Sequence, residues 1–181
     1  MAVHASRILD ELLLVSAKAG DRRAFDALAH RWQKKLLAHA WRLLGDADAA
    51  RDATQESWME IVRGLPRLRD ERAFPAWAFR IVSRRCARSI ASAIRRRQEA
   101  ADLETVEPDP DGSGEGVDAE RLRIAIRRLP EGQRAAIALY HFEELSVAEV
   151  AVALDVPVGT VKTRLMHARD KLRAALGGDE A

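Results

Sequence analysis

Charged side chains are grouped by sign along this sequence, and the groups indicate what the protein can bind. The stretch from Phe79 to Arg97 contains seven Arg residues and no acid, whereas Glu99 to Glu120 contains nine acids and no base. From Thr160 to Arg173 the bases outnumber the acids five to one. Clustered Lys and Arg side chains attract polyanions even where the net charge of the whole chain is only +2. The pattern predicts two polyanion-binding segments, one before and one after an acidic segment.

Side chains of the kinds that enzymes use are not grouped in this way. The single cysteine, Cys86, cannot form an internal disulfide, and the five His residues are scattered without the spacing of metal ligands. The sequence has no Gly-rich phosphate loop, nucleophile elbow or paired-His motif. We therefore expect no enzymatic activity, no metal and no cofactor.

The first residues, MAVHASRILDELLLV, carry acids inside their apolar stretch. They lack the basic start, long apolar run and cleavage site of a signal peptide. Nowhere do 18 apolar residues follow one another, so we expect no segment inserted in a membrane. These features predict a cytoplasmic protein.

Composition and periodicity predict an all-α fold. Ala, Leu, Arg and Glu dominate, and aromatic residues make up only 5% of the chain. From Ala24 to Leu44 the apolar residues recur at helical spacing, and Gly45 supplies a residue suited to ending that helix. Further helices are expected at Ile8–Ala17, at Asp48–Arg63 and at about Glu71–Arg97, where Pro75 favours a start near Ala76.

A second helical block follows an acidic segment. Dense negative charge, two Pro and three Gly predict a flexible linker at about 99–117, which divides the chain into domains at 1–98 and 118–181. The linker can be a solvated spacer, or it can occupy a basic channel of a partner. Beyond it, a helix beginning near Leu122 ends before Pro130, and three more are expected at Gln133–Phe142, Ser146–Leu154 and Pro157–Leu176.

The last two of these helices have the features of a helix-turn-helix. Ser146 and Glu149 have the spacing of a capping box, and Asp155 tolerates the left-handed conformation that the turn needs. Pro157 fits the first turn of the following helix. That helix places four apolar residues inward, Val161, Leu165, Ala168 and Leu172. It leaves a polar face outward, with Thr160, Lys162, Thr163, Met166, His167 and Arg169.

Such a helix has two interpretations. A recognition helix places its first half in the DNA major groove, where Lys and Arg reach guanine edges and phosphates. An amphipathic helix with a solvated basic face would show the same pattern. The residues alone favour DNA recognition without excluding the second interpretation.

The C-terminal block also resembles region four, the promoter-binding domain of extracytoplasmic-function (ECF) sigma factors. Leu129-Pro130, Arg134, the helix Ser146–Leu154 and the stretch PVGTVK carry this resemblance. In the first block, GDRRAFDALAHRW, LLGDADAARDATQESW and FPAWAFRIVSRR are similar to region two, in the same order and spacing. The resemblance covers roughly residues 20–97 and 120–176. It implies two small helical domains, a region-two bundle and a region-four helix-turn-helix domain.

The resemblance further implies partners and site residues. The chain would bind the clamp helices of the largest subunit and the flap of the second subunit of core RNA polymerase, together with promoter DNA, and an anti-sigma factor would control it. Residues matching the core-binding motif are Asp48, Asp52, Gln55 and Glu56. Residues matching the segment that melts and reads the minus-ten element are Leu68, Arg69, Trp77, Arg80, Ile81, Arg84, Arg85 and Arg88. Residues matching the minus-thirty-five reading helix are Thr160, Lys162, Thr163, Arg164, Met166, His167 and Arg169.

Within these motifs the chain departs from the family pattern at four positions. Arg84 stands where Asn is common, and Arg88 stands where Asp or Asn is frequent. Met166 and His167 stand where an aromatic residue and Arg are frequent. The two first-domain changes add positive charge, which predicts tight binding to the DNA backbone. All four leave the preferred promoter sequence open.

Two other functions explain part of the sequence. A helix-turn-helix regulator that binds an operator without polymerase would use residues 120–176 but would give the acidic helix Asp48–Arg63 no role. A sigma mimic that sequesters an anti-sigma factor would not need the seven Arg residues between Phe79 and Arg97. A sigma factor accounts for both blocks.

Overall fold

The computed structural model describes residues 2–99 and 117–177, and all regular structure in these two ranges is helical. The all-α prediction is confirmed. The helices are α1 (Ala2–Lys18), α2 (Arg22–Leu44), α3 (Ala47–Gly64), α4 (Phe74–Glu99), α5 (Val117–Arg127), α6 (Glu131–Ile137), α7 (Val147–Leu154) and α8 (Val158–Leu176). Most of the predicted linker, residues 100–116, lies outside the described residues. None of these helices is long and apolar enough to cross a membrane.

Helices α1 to α4 pack around a cluster of aromatic side chains. The Trp32 and Phe74 rings meet edge to face with 5.0 Å between their centroids, and Phe79 lies 5.7 Å from Trp32. All three side chains are almost fully buried. Because aromatic residues bury large apolar areas and pair with defined geometry, this cluster fixes α4 against α2.

The ends of α2 and the start of α3 follow from local sequence. The Asp21 side chain accepts hydrogen bonds from two backbone N–H groups of the first turn of α2. Gly45 ends α2 in the left-handed conformation, at φ 73°, as its position predicts. Asp46 then caps α3 through its side chain.

The connection between α3 and α4 is tightly packed. Two short 3-10 turns, Leu65–Arg67 and Glu71–Ala73, lead into α4. A Cβ atom at Gly64 would lie 2.7 Å from the Trp77 ring, so only glycine permits this close approach. Helix α4 begins at Phe74, two residues before the predicted start at Ala76, with Pro75 in the first turn, where no backbone N–H is needed.

The second block contains α5 to α8. The helix predicted at Gln133–Phe142 is α6 followed by a π-helical turn, Ala138–Phe142. The capping box of Ser146 and Glu149 is present, with both hydrogen bonds formed. Asp155 adopts the left-handed conformation between α7 and α8, at φ 55° and ψ 47°. The local features of the predicted helix-turn-helix are therefore confirmed.

The two blocks pack against each other, which the sequence did not predict. Helix α7 lies against α4, and α6 together with the following π-helical turn contacts α2. Apolar side chains from both blocks form one continuous core.

His39 is a fully buried polar side chain inside the first block. Its Nε2 atom lies 2.9 Å from the Ser83 hydroxyl, which joins α2 to α4, and its ring packs edge-on against Phe79. Burial, together with the positive charge of Arg42, lowers the pKa of His39 from 6.5 to about 3. The ring is neutral in the folded protein over the physiological range.

We expect this histidine to make the fold sensitive to mild acid. Below pH 6.5 the unfolded chain binds a proton at His39 that the folded chain does not, so the free energy of unfolding falls as the pH falls. From pH 7.5 to pH 5.5 the loss is about 1.4 kcal/mol. In denaturant titrations, the fall in the free energy of unfolding over this pH range should be larger in the wild type, by about this amount, than in His39→Gln, which cannot titrate at this position. Equal pH dependence in both proteins would contradict the assignment.

Candidate nucleic-acid and polymerase interfaces

Helix α3 presents an acidic face to solvent. Its opposite face buries Ala50, Ala53, Thr54, Ser57 and Ile61 against the core. The Thr54 and Ser57 hydroxyls donate to backbone carbonyls four residues earlier, so these buried polar groups are satisfied within the helix. The four residues predicted to bind core polymerase are all exposed, namely Asp48, Asp52, Gln55 and Glu56. The structure therefore brings them together on one accessible surface.

One of these acids is held by a residue predicted to bind DNA. Arg85 on α4 donates to Glu56 and to Glu60, at 3.0 Å in each case. Its guanidinium thus bridges two carboxylates of α3, and the Arg85 side chain is mostly covered. This arrangement ties the acidic face of α3 to α4 and positions Glu56. Arg85 is less available to a phosphate than its neighbour Arg84.

The other residues predicted to read the minus-ten element lie in three environments. Arg69, Arg84 and Arg88 are exposed, and the last two share a face of α4 because they are four residues apart. Arg80, on the same face, forms an ion pair with Asp155 at 3.0 Å. Leu68 is half-buried, and its carbonyl accepts a hydrogen bond from Lys18.

Two of the predicted minus-ten residues belong to the core. Ile81 is only 5% exposed and packs among the buried apolar residues, so we correct its assignment from DNA contact to core packing. Trp77 is half-buried against the same core, with its ring 6.0 Å from Phe74 and beneath Gly64. It supports the connection between α3 and α4.

The predicted recognition helix presents its polar face to solvent. Val161, Leu165 and Ala168 are buried against the second block, as the periodicity indicates. On the outer side Lys162, Thr163, Met166, His167 and Arg169 are exposed, and Thr160 is half-buried. The Arg169 guanidinium lies over the Tyr140 ring, 5.6 Å from its centroid. Arg164 is half-buried because it packs over Gly132 of α6, where a Cβ would come within 2.9 Å of it.

Sequence reasoning missed three exposed cations at the end of α4. Arg95, Arg96 and Arg97 are exposed, and Arg95 continues the face of Arg84 and Arg88, since eleven residues make about three turns. They belong to the basic run of the sequence but match no site residue of the family motif. The helical spacing that relates Arg84 to Arg88 also relates both to Arg95, and it would have indicated that these three residues share a face.

Comparisons with known proteins identify the family of the chain. The family model described as Sigma-70 region 2 matches residues 28–99, and that of Sigma-70, region 4 matches residues 119–172. The chain is 32% identical to the RNA polymerase sigma-H factor of Pseudomonas aeruginosa, over 92% of this chain and 93% of that protein. It is 30% identical to the ECF RNA polymerase sigma-E factor of Escherichia coli K12, over 93% and 94%.

Two solved structures share the fold. CnrH, in complex with the cytosolic domain of CnrY, matches with a TM-score of 0.71 and 26% identity, over 95% of this chain and 99% of that one. The sigma factor RpoE, in complex with the anti-sigma factor NepR from Bartonella quintana, matches with a TM-score of 0.69 and 23% identity, over 86% and 98%. On these grounds, the chain belongs to the sigma-70 family, as an RNA polymerase sigma factor of the ECF group.

Proposed function

We propose that this sigma factor binds core RNA polymerase through the exposed face of α3, centred on Asp52. Carboxylates on an accessible helix face can form charge-assisted hydrogen bonds with Arg residues of a partner helix. The pairing of Arg85 with Glu56 and Glu60 supports this role, because it holds that face in a fixed position.

The exposed basic face of α4 holds the minus-ten element. Arg84, Arg88 and Arg95 follow one face of the helix, and Arg69 lies in the preceding connection. A row of cations of this kind can follow the backbone of a single strand while an unstacked base enters a pocket. In the second block, the outer side of α8 reads the minus-thirty-five element, with Lys162 and Arg169 as its cations.

The domains that carry these surfaces extend over residues 1–98 and 118–181. Both act where RNA polymerase and the chromosome are, so the protein is cytoplasmic. An anti-sigma factor controls it, since the sigma factor RpoE, which has the same fold, is found in complex with one. The single observation that carries the proposal is the presence of both matched regions in one chain, with exposed charged residues at predicted contact positions in each.

In vitro transcription tests this proposal directly. Purified protein and core polymerase are combined on candidate promoters from the same genome, and transcripts are mapped. We expect initiation at defined sites that neither component supports alone. Operator binding without any effect on transcription would indicate a free-standing regulator, and binding of neither core nor DNA would indicate a sigma mimic.

A further inference from the structure

The Arg169 side chain is held by an aromatic ring and not by an acid. Two other predicted DNA-binding residues, Arg80 and Arg85, are held by carboxylates at 3.0 Å. Arg169 forms no ion pair or hydrogen bond within the described ranges, 2–99 and 117–177. Its guanidinium lies over the Tyr140 ring, 5.6 Å from the ring centroid. This ring is therefore the partner that holds the Arg169 cation in place.

The π-helical turn Ala138–Phe142 presents Tyr140 to α8. The Tyr140 side chain is half-buried and packs against the hydrophobic core, and the His141 ring meets it edge to face at 4.9 Å between centroids. Its hydroxyl forms no hydrogen bond to any residue that the structure describes. Turns of this kind are rare and frequently lie at functional sites. The packing makes the Tyr140 ring a fixed support for the cation above it.

Stacking orients a guanidinium without using its hydrogen-bonding groups. The five N–H donors of Arg lie in the plane of the group and point outward from its edges. A carboxylate partner would occupy some of these donors, whereas a ring beneath the plane leaves all of them available. Arg169 is exposed on the outer side of α8, so its donors remain accessible to DNA.

The orientation of Arg169 matters because this residue lies in the second half of α8. A recognition helix places its first half in the major groove, so a side chain farther along must be directed toward the DNA. A free Arg side chain populates many rotamers, and fixing it on binding lowers the affinity. A side chain that a ring already holds loses less freedom when DNA binds.

We propose that Tyr140 is a positioning residue for recognition of the minus-thirty-five element, because it holds Arg169 in the orientation that DNA requires. Tyr140 acts through Arg169 and reads no base itself. This inference rests on the proposed function, since it takes the outer side of α8 as the surface that reads DNA. It extends the residues that determine this recognition from α8 to the π-helical turn before α7.

A double-mutant cycle on the full-length protein tests this role, with affinity for upstream-element duplex measured by fluorescence anisotropy. We expect Tyr140→Leu, which keeps most of the apolar volume, to weaken binding about three- to tenfold through the loss of preorganisation. Tyr140→Phe keeps the ring and should bind within about twofold of the wild type. In the Arg169→Ala background, Tyr140→Leu should have no further effect.

Two results of the cycle would overturn the proposal. An equal loss from Tyr140→Leu in both backgrounds would show that Tyr140 acts independently of Arg169. A loss in Tyr140→Phe as large as that in Tyr140→Leu would show that the Tyr140 hydroxyl contacts the DNA. Thermal unfolding followed by circular dichroism shows whether each variant is folded.

Fluorine NMR of the unbound protein tests the contact without changing the ring. Tyr140 is the only tyrosine of the chain, so labelling with meta-fluorotyrosine gives one resonance from this side chain. We expect the resonance to move in Arg169→Ala. It should stay in place in Lys162→Ala, an equal loss of charge seven residues earlier on α8. A resonance that is the same in both variants and in the wild type refutes the contact.

Binding by the wild type separates this inference from the proposed function. A wild type that prefers upstream-element duplex to random duplex, together with an additive cycle, refutes the role of Tyr140 alone. A wild type that binds both duplexes equally refutes α8 as the helix that reads DNA, and the role of Tyr140 with it.

Discussion

Replacing Asp52 by Arg is expected to weaken the binding of core RNA polymerase by about 2–4 kcal/mol, or roughly 30- to 1,000-fold. Asp52 is exposed at the middle of the acidic face of α3, so the change leaves the packing of the helix intact. A carboxylate that meets Arg residues of a partner contributes attraction, and a guanidinium at the same place adds repulsion. Affinity for purified core, measured by fluorescence titration, gives the loss directly.

Asp52 is a cleaner test than Glu56, the other acid at the centre of this face. Reversing the charge of Glu56 would also place an Arg beside Arg85 and disturb the contact between α3 and α4. The matched control is Asp26→Arg, the same change at an exposed position of α2. We expect the control to bind core as the wild type does. If Asp52→Arg did so too, the acidic face of α3 would not be the polymerase surface.

Features that depend on neighbouring residues could be predicted from the sequence. The left-handed Gly45, the capping box of Ser146 and Glu149, and the left-handed Asp155 each follow from the chemistry of a few adjacent residues. The buried side of α8 followed from its periodicity. These predictions are correct because short-range hydrogen bonding and side-chain spacing determine them.

Features that depend on packing between distant helices could not be predicted. Ile81 lies within a basic helix, and only the position of α4 in the bundle shows that this side chain faces the core. Arg85 and Arg84 are adjacent and identical in type, yet one bridges two acids 25 and 29 residues away while the other is exposed. The sequence gives no sign of which Arg meets α3, because the answer depends on the rotation of α4 against it.

The same limit applies to the contact between the two blocks. Arg42 and Glu143 are 101 residues apart, and each is an ordinary charged residue in its own helix or turn. Only the folded structure shows that these two residues form an ion pair and that it is largely enclosed. The charge pattern that predicted DNA binding at Arg80 is therefore compatible with a second use of the same side chain, as the partner of Asp155.

Replacing Lys162 and Arg169 together by Ala is expected to weaken binding to the minus-thirty-five element by about 2–6 kcal/mol, since each base-edge contact contributes roughly 1–3 kcal/mol. Both side chains are exposed on the outer side of α8, and Val161 and Leu165 hold the helix in place from its other side. The loss should be measured by anisotropy with upstream-element duplex and with random duplex of equal length. Reading of bases predicts a larger loss on the specific duplex.

Helix α8 also offers a control variant for this experiment. Lys171→Ala removes an exposed cation that lies in a groove between α5 and α8, away from the outer polar face, and should leave specific binding nearly unchanged. Equal losses on both duplexes would mean that Lys162 and Arg169 contact phosphates, and the dependence of affinity on salt should then become less steep in the variant. If neither duplex is bound more weakly, α8 does not enter the major groove, and the basic face of this helix is only solvated.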